Sequence, residues 1–81
     1  MKLLIRNLSR STTEKEVKDL FEEYGTLQSC HLVLDKSTGN SKGFAFVEMP
    51  NTQEATVAMK NLNETRIAGN KIRVRNTEDK Y

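Results

Sequence analysis

"KGFAFVEM", residues 42–49, is the stretch on which the fold turns. Read as a strand, it sends Phe44 and Phe46 to one face and Ala45 and Val47 to the other, because successive side chains alternate. In a chain of 81 residues with 36% hydrophobic content, nearly every large apolar side chain is needed for the core. An exposed pair of phenylalanines is therefore costly, and one of the two faces needs a purpose other than packing. Pro50 ends the strand, since it has no N–H to give a ladder. Upstream, the polar and glycine-containing "DKSTGNSK" is a connection of hairpin length, so the segment from Leu27 to Asp35 becomes the partner strand. Its alternation puts Cys30, Leu32 and Leu34 on one side and Ser29, His31 and Val33 on the other.

Working outward, "KLLIRN" (2–7) is short, apolar and followed by a polar loop, which reads as a strand. Thr13 and Glu16 have capping-box spacing, and Val17, Leu20, Phe21 and Tyr24 then recur with helical period up to Gly25, the expected helix stop. Asn51 and Glu54 offer a second helix start, with Ala55, Ala58, Met59 and Leu62 as its apolar stripe. Beyond a turn signal at Gly69-Asn70, "KIRVR" (71–75) alternates, with Ile72 and Val74 inward and Lys71, Arg73 and Arg75 outward. The element order is β-α-β-β-α-β. This predicts an α+β, ferredoxin-like split βαβ sandwich: a four-stranded antiparallel sheet with two helices on one face. Ile5, Leu32, Val47, Ile72 and Val74 then meet the helices, and the other sheet face stays open. Residues 1–76 form one domain in this reading, and 77–81 a short C-terminal tail, well under the roughly 12 residues an isolated helix needs. Tyr81 is the tail residue able to fold back.

Composition excludes several classes. No apolar run approaches a membrane-spanning length and no signal-peptide pattern opens the chain, so the cytoplasm is the expected compartment. Cys30, the sole cysteine, cannot form an internal disulfide, and one histidine beside it does not make a usual metal site. Cys30 is expected in the core as a small apolar residue. No nucleophile motif and no glycine-rich phosphate loop is present, which argues against an enzyme, although the fold itself does not exclude one. A net charge of +2 is too small to name a partner, so the distribution of charge matters more.

That distribution is uneven. The open face collects Lys2, Leu4 and Arg6; Ser29, His31 and Val33; Lys42, Phe44, Phe46 and Glu48; and Arg73 and Arg75. The first helix has the opposite bias, with Glu14, Glu16, Asp19, Glu22 and Glu23 against Lys15 and Lys18. Rings bordered by cations on an open sheet suit single-stranded nucleic acid, whose bases stack on the rings for roughly 1–3 kcal/mol each. A duplex fits poorly, because its bases are already stacked.

These motifs make the chain resemble an RNA recognition motif (RRM) domain from Lys2 to about Asn76. Lys42-Gly43-Phe44-Ala45-Phe46-Val47-Glu48-Met49 matches that family's octamer at all but its last position. Leu3-Leu4-Ile5-Arg6-Asn7-Leu8 is similar to its hexamer. The resemblance implies that Phe44 and Phe46 stack on bases or a ribose, that Lys42 meets a phosphate, and that Lys2 and Arg6 touch base or backbone. On the same face, Leu4, His31, Val33, Arg73 and Arg75 complete the candidate RNA-binding set. Leu4 stands where the family usually has an aromatic residue, so one stacking platform is missing. Met49 replaces the octamer's final aromatic, but alternation turns it inward. The expected partner is single-stranded RNA bound by a monomer, with no cofactor, no membrane and no small-molecule substrate. Single-stranded DNA and a protein-binding module of the same shape are the alternatives. With little sequence outside the fold, the chain also resembles small single-domain bacterial RNA-binding proteins.

Overall fold

The computed structural model describes residues 1–77. Its elements are β1 (Lys2–Arg6), α1 (Glu14–Glu22), β2 (Ser29–Leu34), β3 (Ser41–Glu48), α2 (Thr52–Leu62), β4 (Arg66–Ile67), β5 (Asn70–Lys71) and β6 (Arg73–Asn76). Both helices begin where side chains can satisfy their first free amides. The Glu16 amide donates to Thr13 Oγ1 at 3.2 Å and the Thr13 amide donates to Glu16 Oε1 at 2.8 Å, a reciprocal capping box. Asn51 Oδ1 accepts from the Glu54 amide at 3.0 Å and opens α2 in the same way. Val17 and Phe21 of α1, and Ala55, Ala58 and Leu62 of α2, are the helix residues buried against the sheet.

The main sheet has the order β2-β3-β1-β6, with each neighbouring pair antiparallel. This is the expected α+β, split βαβ arrangement. Leu3, Ile5, Leu32, Ala45, Val47, Met49, Ile72 and Val74 are buried on the helix side, so Met49 does turn inward. The two central strands, β1 and β3, are the ones that carry the hexamer and the octamer. Burying their alternate residues under the helices fixes the remaining residues on the free face, since a slip of one residue would reverse both.

Five expectations change in detail. Gly25 does not stop α1 through a left-handed turn; the cap residue Glu23 has φ −65° and ψ −20°, and the Tyr24 amide closes the helix onto the Phe21 carbonyl at 3.0 Å. Glycine is needed at 25 because a Cβ there would collide with the Glu54 side chain, whose Oε1 accepts from the Thr26 amide at 3.1 Å. The final strand is not continuous over 71–75. Ile72 is fully buried, and its N–H and C=O pair with Thr65 O and Glu64 N, at 2.9 and 2.7 Å, which separates β5 from β6. The small hairpin of β4 and β5 turns on Ala68 and Gly69, both at positive φ, one position before the expected turn.

Leu34 was expected inward, yet it is 49% exposed. The β2–β3 register runs Leu32 to Ala45 but Leu34 to Ser41, so an irregularity lies between them and simple alternation does not carry across it. Gly43 lies in that interval at φ +86°, with its carbonyl accepting from the Leu8 amide at 2.9 Å. Only glycine adopts that backbone without strain, which is a physical reason for the glycine of the octamer. Finally, Thr77, expected to begin a loose tail, is tied to β1: its amide donates to the Lys2 carbonyl at 3.0 Å. The rest of the expected tail, including Tyr81, lies outside the described residues.

Candidate nucleic-acid interface

Strand register places the free-face residues in rows. Leu4 pairs with Phe46 on β3 and with Arg75 on β6, and Phe46 also pairs with His31 on β2. His31, Phe46, Leu4 and Arg75 therefore form one row across all four strands of the main sheet. Ser29, Glu48 and Lys2 form the next row, and on the other side Arg6 pairs with Arg73. Phe44 and Phe46 meet edge to face, with ring centroids 6.2 Å apart and planes at 86°. Lys2 Nζ stands 5.9 Å from the Phe46 centroid, within cation–π range. Both phenylalanines are half-buried, as are Leu4 and Val33, while Lys2, Arg6, His31, Lys42, Arg73 and Arg75 are exposed.

Register puts Lys2, Leu4, Arg6, His31, Phe46, Arg73 and Arg75 on the uncovered face, ring contact adds Phe44, and Lys42 borders it beside Phe44, whereas no strand pairing places Val33, which lies within the irregular interval of β2. Phe44, Phe46, Leu4 and Lys2 make up the centre of that face. Arg6 and Lys42 join Phe44, Ser9 and Arg10 around a shallow depression of about 590 Å³ at the end of β1. Arg6, Arg73 and Arg75 line a second with Asn7, and none of its lining residues is acidic. Like charges opposed across strands, such as Arg6 and Arg73, destabilise a sheet. Their juxtaposition makes sense for a surface that meets an anion. Val33 lies on the edge strand, away from both depressions.

Sequence periodicity missed the loop residues, because a loop has no period. Arg10 lies beside Lys42 and Phe44 in one depression and beside Asp35 and Asn40 in another. Asn7, at φ +62°, donates through Nδ2 to the Lys71 carbonyl at 2.8 Å, and Asn70 Nδ2 donates back to the Asn7 carbonyl at 3.3 Å. These bonds fasten the end of β1 to the β4–β5 hairpin. The available signal was the asparagine of the hexamer, a residue type that tolerates positive φ.

Two titrating groups lie outside the centre. Cys30 is half-buried and not fully in the core; burial, and next the Glu14 charge, push its thiol pKa up, which favours the unreactive protonated form. Asp35, in the β2–β3 loop, accepts from the Ser37 and Thr38 amides at 2.7 and 3.3 Å, and these bonds hold its carboxyl below the usual range.

Two helices thus lie behind a sheet whose free face carries rings among cations. Residues 3–73 match the model of the RNA recognition motif, and the chain belongs to that family. It is 38% identical over 74 residues to the human cleavage stimulation factor subunit 2 tau variant, covering 91% of this chain and 12% of that protein. It therefore spans only about an eighth of the length of that curated relative. Among solved structures, that of an RNA-binding protein named PG1 aligns with a TM-score of 0.89 and 32% identity, over 93% of this chain and 90% of that one. A Sxl-lethal protein/RNA complex aligns with a TM-score of 0.90 and 27% identity, over 95% of this chain and 46% of that one. Curated relatives come from human, Candida albicans and Spinacia oleracea, all eukaryotes, so the expected bacterial resemblance finds no support among them. No helix among the described residues is long and apolar enough to cross a membrane.

Proposed function

We propose that this chain binds a short single strand of RNA, about two to four nucleotides, across the free face of its sheet. Phe44 and Phe46 supply stacking platforms, Lys2 and Arg6 hold the strand against β1, and Lys42, Arg73 and Arg75 meet phosphates. His31 and Val33 form the β2 border of the site, and Leu4 packs beneath the bound bases. The observation that carries this reading is the pair of rings, 6.2 Å apart and set among exposed cations, on a face that no helix of the described chain covers. A relative solved as a protein/RNA complex supports it. The binding needs no cofactor and involves no chemical step. The chain acts as a monomeric domain, residues 1–76, in the cytoplasm, in the processing, stability or chaperoning of RNA.

Fluorescence anisotropy with a labelled degenerate RNA oligomer tests this. Wild-type protein is expected to bind with a Kd on the order of micromolar, near 8 kcal/mol. The Phe44→Ala/Phe46→Ala protein, checked for folding by circular dichroism, is expected to lose at least about tenfold in affinity. Equal binding by the folded double variant would move the site off the sheet. A DNA oligomer of the same sequence in the same assay reports whether the 2′-hydroxyl contributes.

A further inference from the structure

Glu48 is the one acid among the candidates and their row neighbours on the free face, and nothing in the RNA-binding reading above gives it a role. It lies two residues along β3 from Phe46 on the same side, about 6.6 Å away at the usual strand rise. Across the strands it pairs with Lys2 and Ser29. Lys2 is the obvious partner, but its ammonium stands near the Phe46 ring, and no ion pair joins it to Glu48 among the described residues. The Ser29 hydroxyl approaches Glu48 Oε1 at 3.4 Å, long for a bond between two oxygens, so the carboxylate keeps most of its acceptor capacity.

A free carboxylate on a surface that meets phosphates lowers affinity unless it faces something that donates. A base stacked on Phe46 presents its edge at about the distance of Glu48. Two adjacent carboxylate oxygens match two adjacent donors, and only guanine has them on its Watson–Crick edge, N1–H and the N2 amino group. Adenine and cytosine pair one amino group with a ring nitrogen that would face an oxygen lone pair. Uracil flanks its single N–H with carbonyls. We infer that Glu48 is a specificity-determining residue that selects guanine for the nucleotide stacked on Phe46, with Ser29 and Lys2 bordering that position.

The inference rests on the RNA-binding reading, and the test separates the two. Four short RNA oligomers, differing only in one central base within a uridine context, are titrated against wild-type, Glu48→Gln and Phe46→Ala protein. Wild type is expected to bind the guanine oligomer about tenfold more tightly than the other three. The Glu48→Gln protein is expected to bind all four within about twofold, mainly by losing affinity for the guanine oligomer. If wild type binds all four equally and Phe46→Ala weakens all four, the RNA site stands and the guanine inference falls. If Glu48→Gln tightens all four oligomers by the same factor, Glu48 merely repels phosphate and the inference falls. If none of the four binds to wild type, both readings fall.

Discussion

Leu4 sits in the central row of the free face, between Phe46 and Arg75, at the position where RNA recognition motifs usually place an aromatic ring. Its backbone is held from both sides, so a ring introduced there would stand next to Phe46 with no change of register. Stacking contributes roughly 1–3 kcal/mol per base, and leucine offers apolar contact without a π face. The Leu4→Tyr protein is therefore expected to bind RNA at least about fivefold more tightly than wild type in the anisotropy assay. Unchanged affinity would mean that no base lies over β1. At this scale the sequence was informative for strand residues and silent for loop residues. Phe44, Phe46 and the basic residues followed from alternation alone, whereas Arg10 reaches the edge of the site through a loop whose path no local pattern encodes.

Elements are where local signals met tertiary constraint. The capping box at Thr13 and the asparagine cap at Asn51 formed as their spacing predicted, because a cap is a contact within one turn. Gly25 follows the same helix, but its purpose depends on Glu54, a residue 29 positions away that comes near only when α2 packs beside it. Gly25→Ala is expected to destabilise the fold by about 1–3 kcal/mol through overpacking. For a domain of this size that lowers the thermal midpoint by about 4–8 °C per kcal/mol, measurable by circular dichroism. A midpoint within a degree of wild type would show that the Glu54 side chain moves aside at no cost. The break at Ile72 has a similar origin. Its alternation was correct, and its buried side chain shows as much, but its hydrogen bonds go to Glu64 and Thr65 and so divide the strand.

Across the whole molecule, a net charge of only +2 hides a division between faces. Lys2, Arg6, Lys42, Arg73 and Arg75 lie on the free sheet face, while Glu14, Glu16, Asp19, Glu22 and Glu23 lie on or just beyond the helix behind it. Binding should accordingly depend on salt much as it does for a more basic protein. With about three phosphate contacts, the logarithm of the affinity is expected to fall by about two for each tenfold rise in salt. Anisotropy titrations at several salt concentrations measure that slope, and a slope near zero would remove the phosphates from the site. The sequence by itself determined the order of the two helices and the four main-sheet strands, though not the small β4–β5 hairpin, together with the apolar side of each long strand and the two motif strands, because alternation and helical period are local and repeat. Only the tertiary structure decided the register between strands: that Phe46 lies in one row with His31, Leu4 and Arg75, that Arg6 opposes Arg73, and that Leu34 escapes the core. Those facts depend on register between segments distant in the chain, and on an irregularity at Gly43 that alternation cannot foresee.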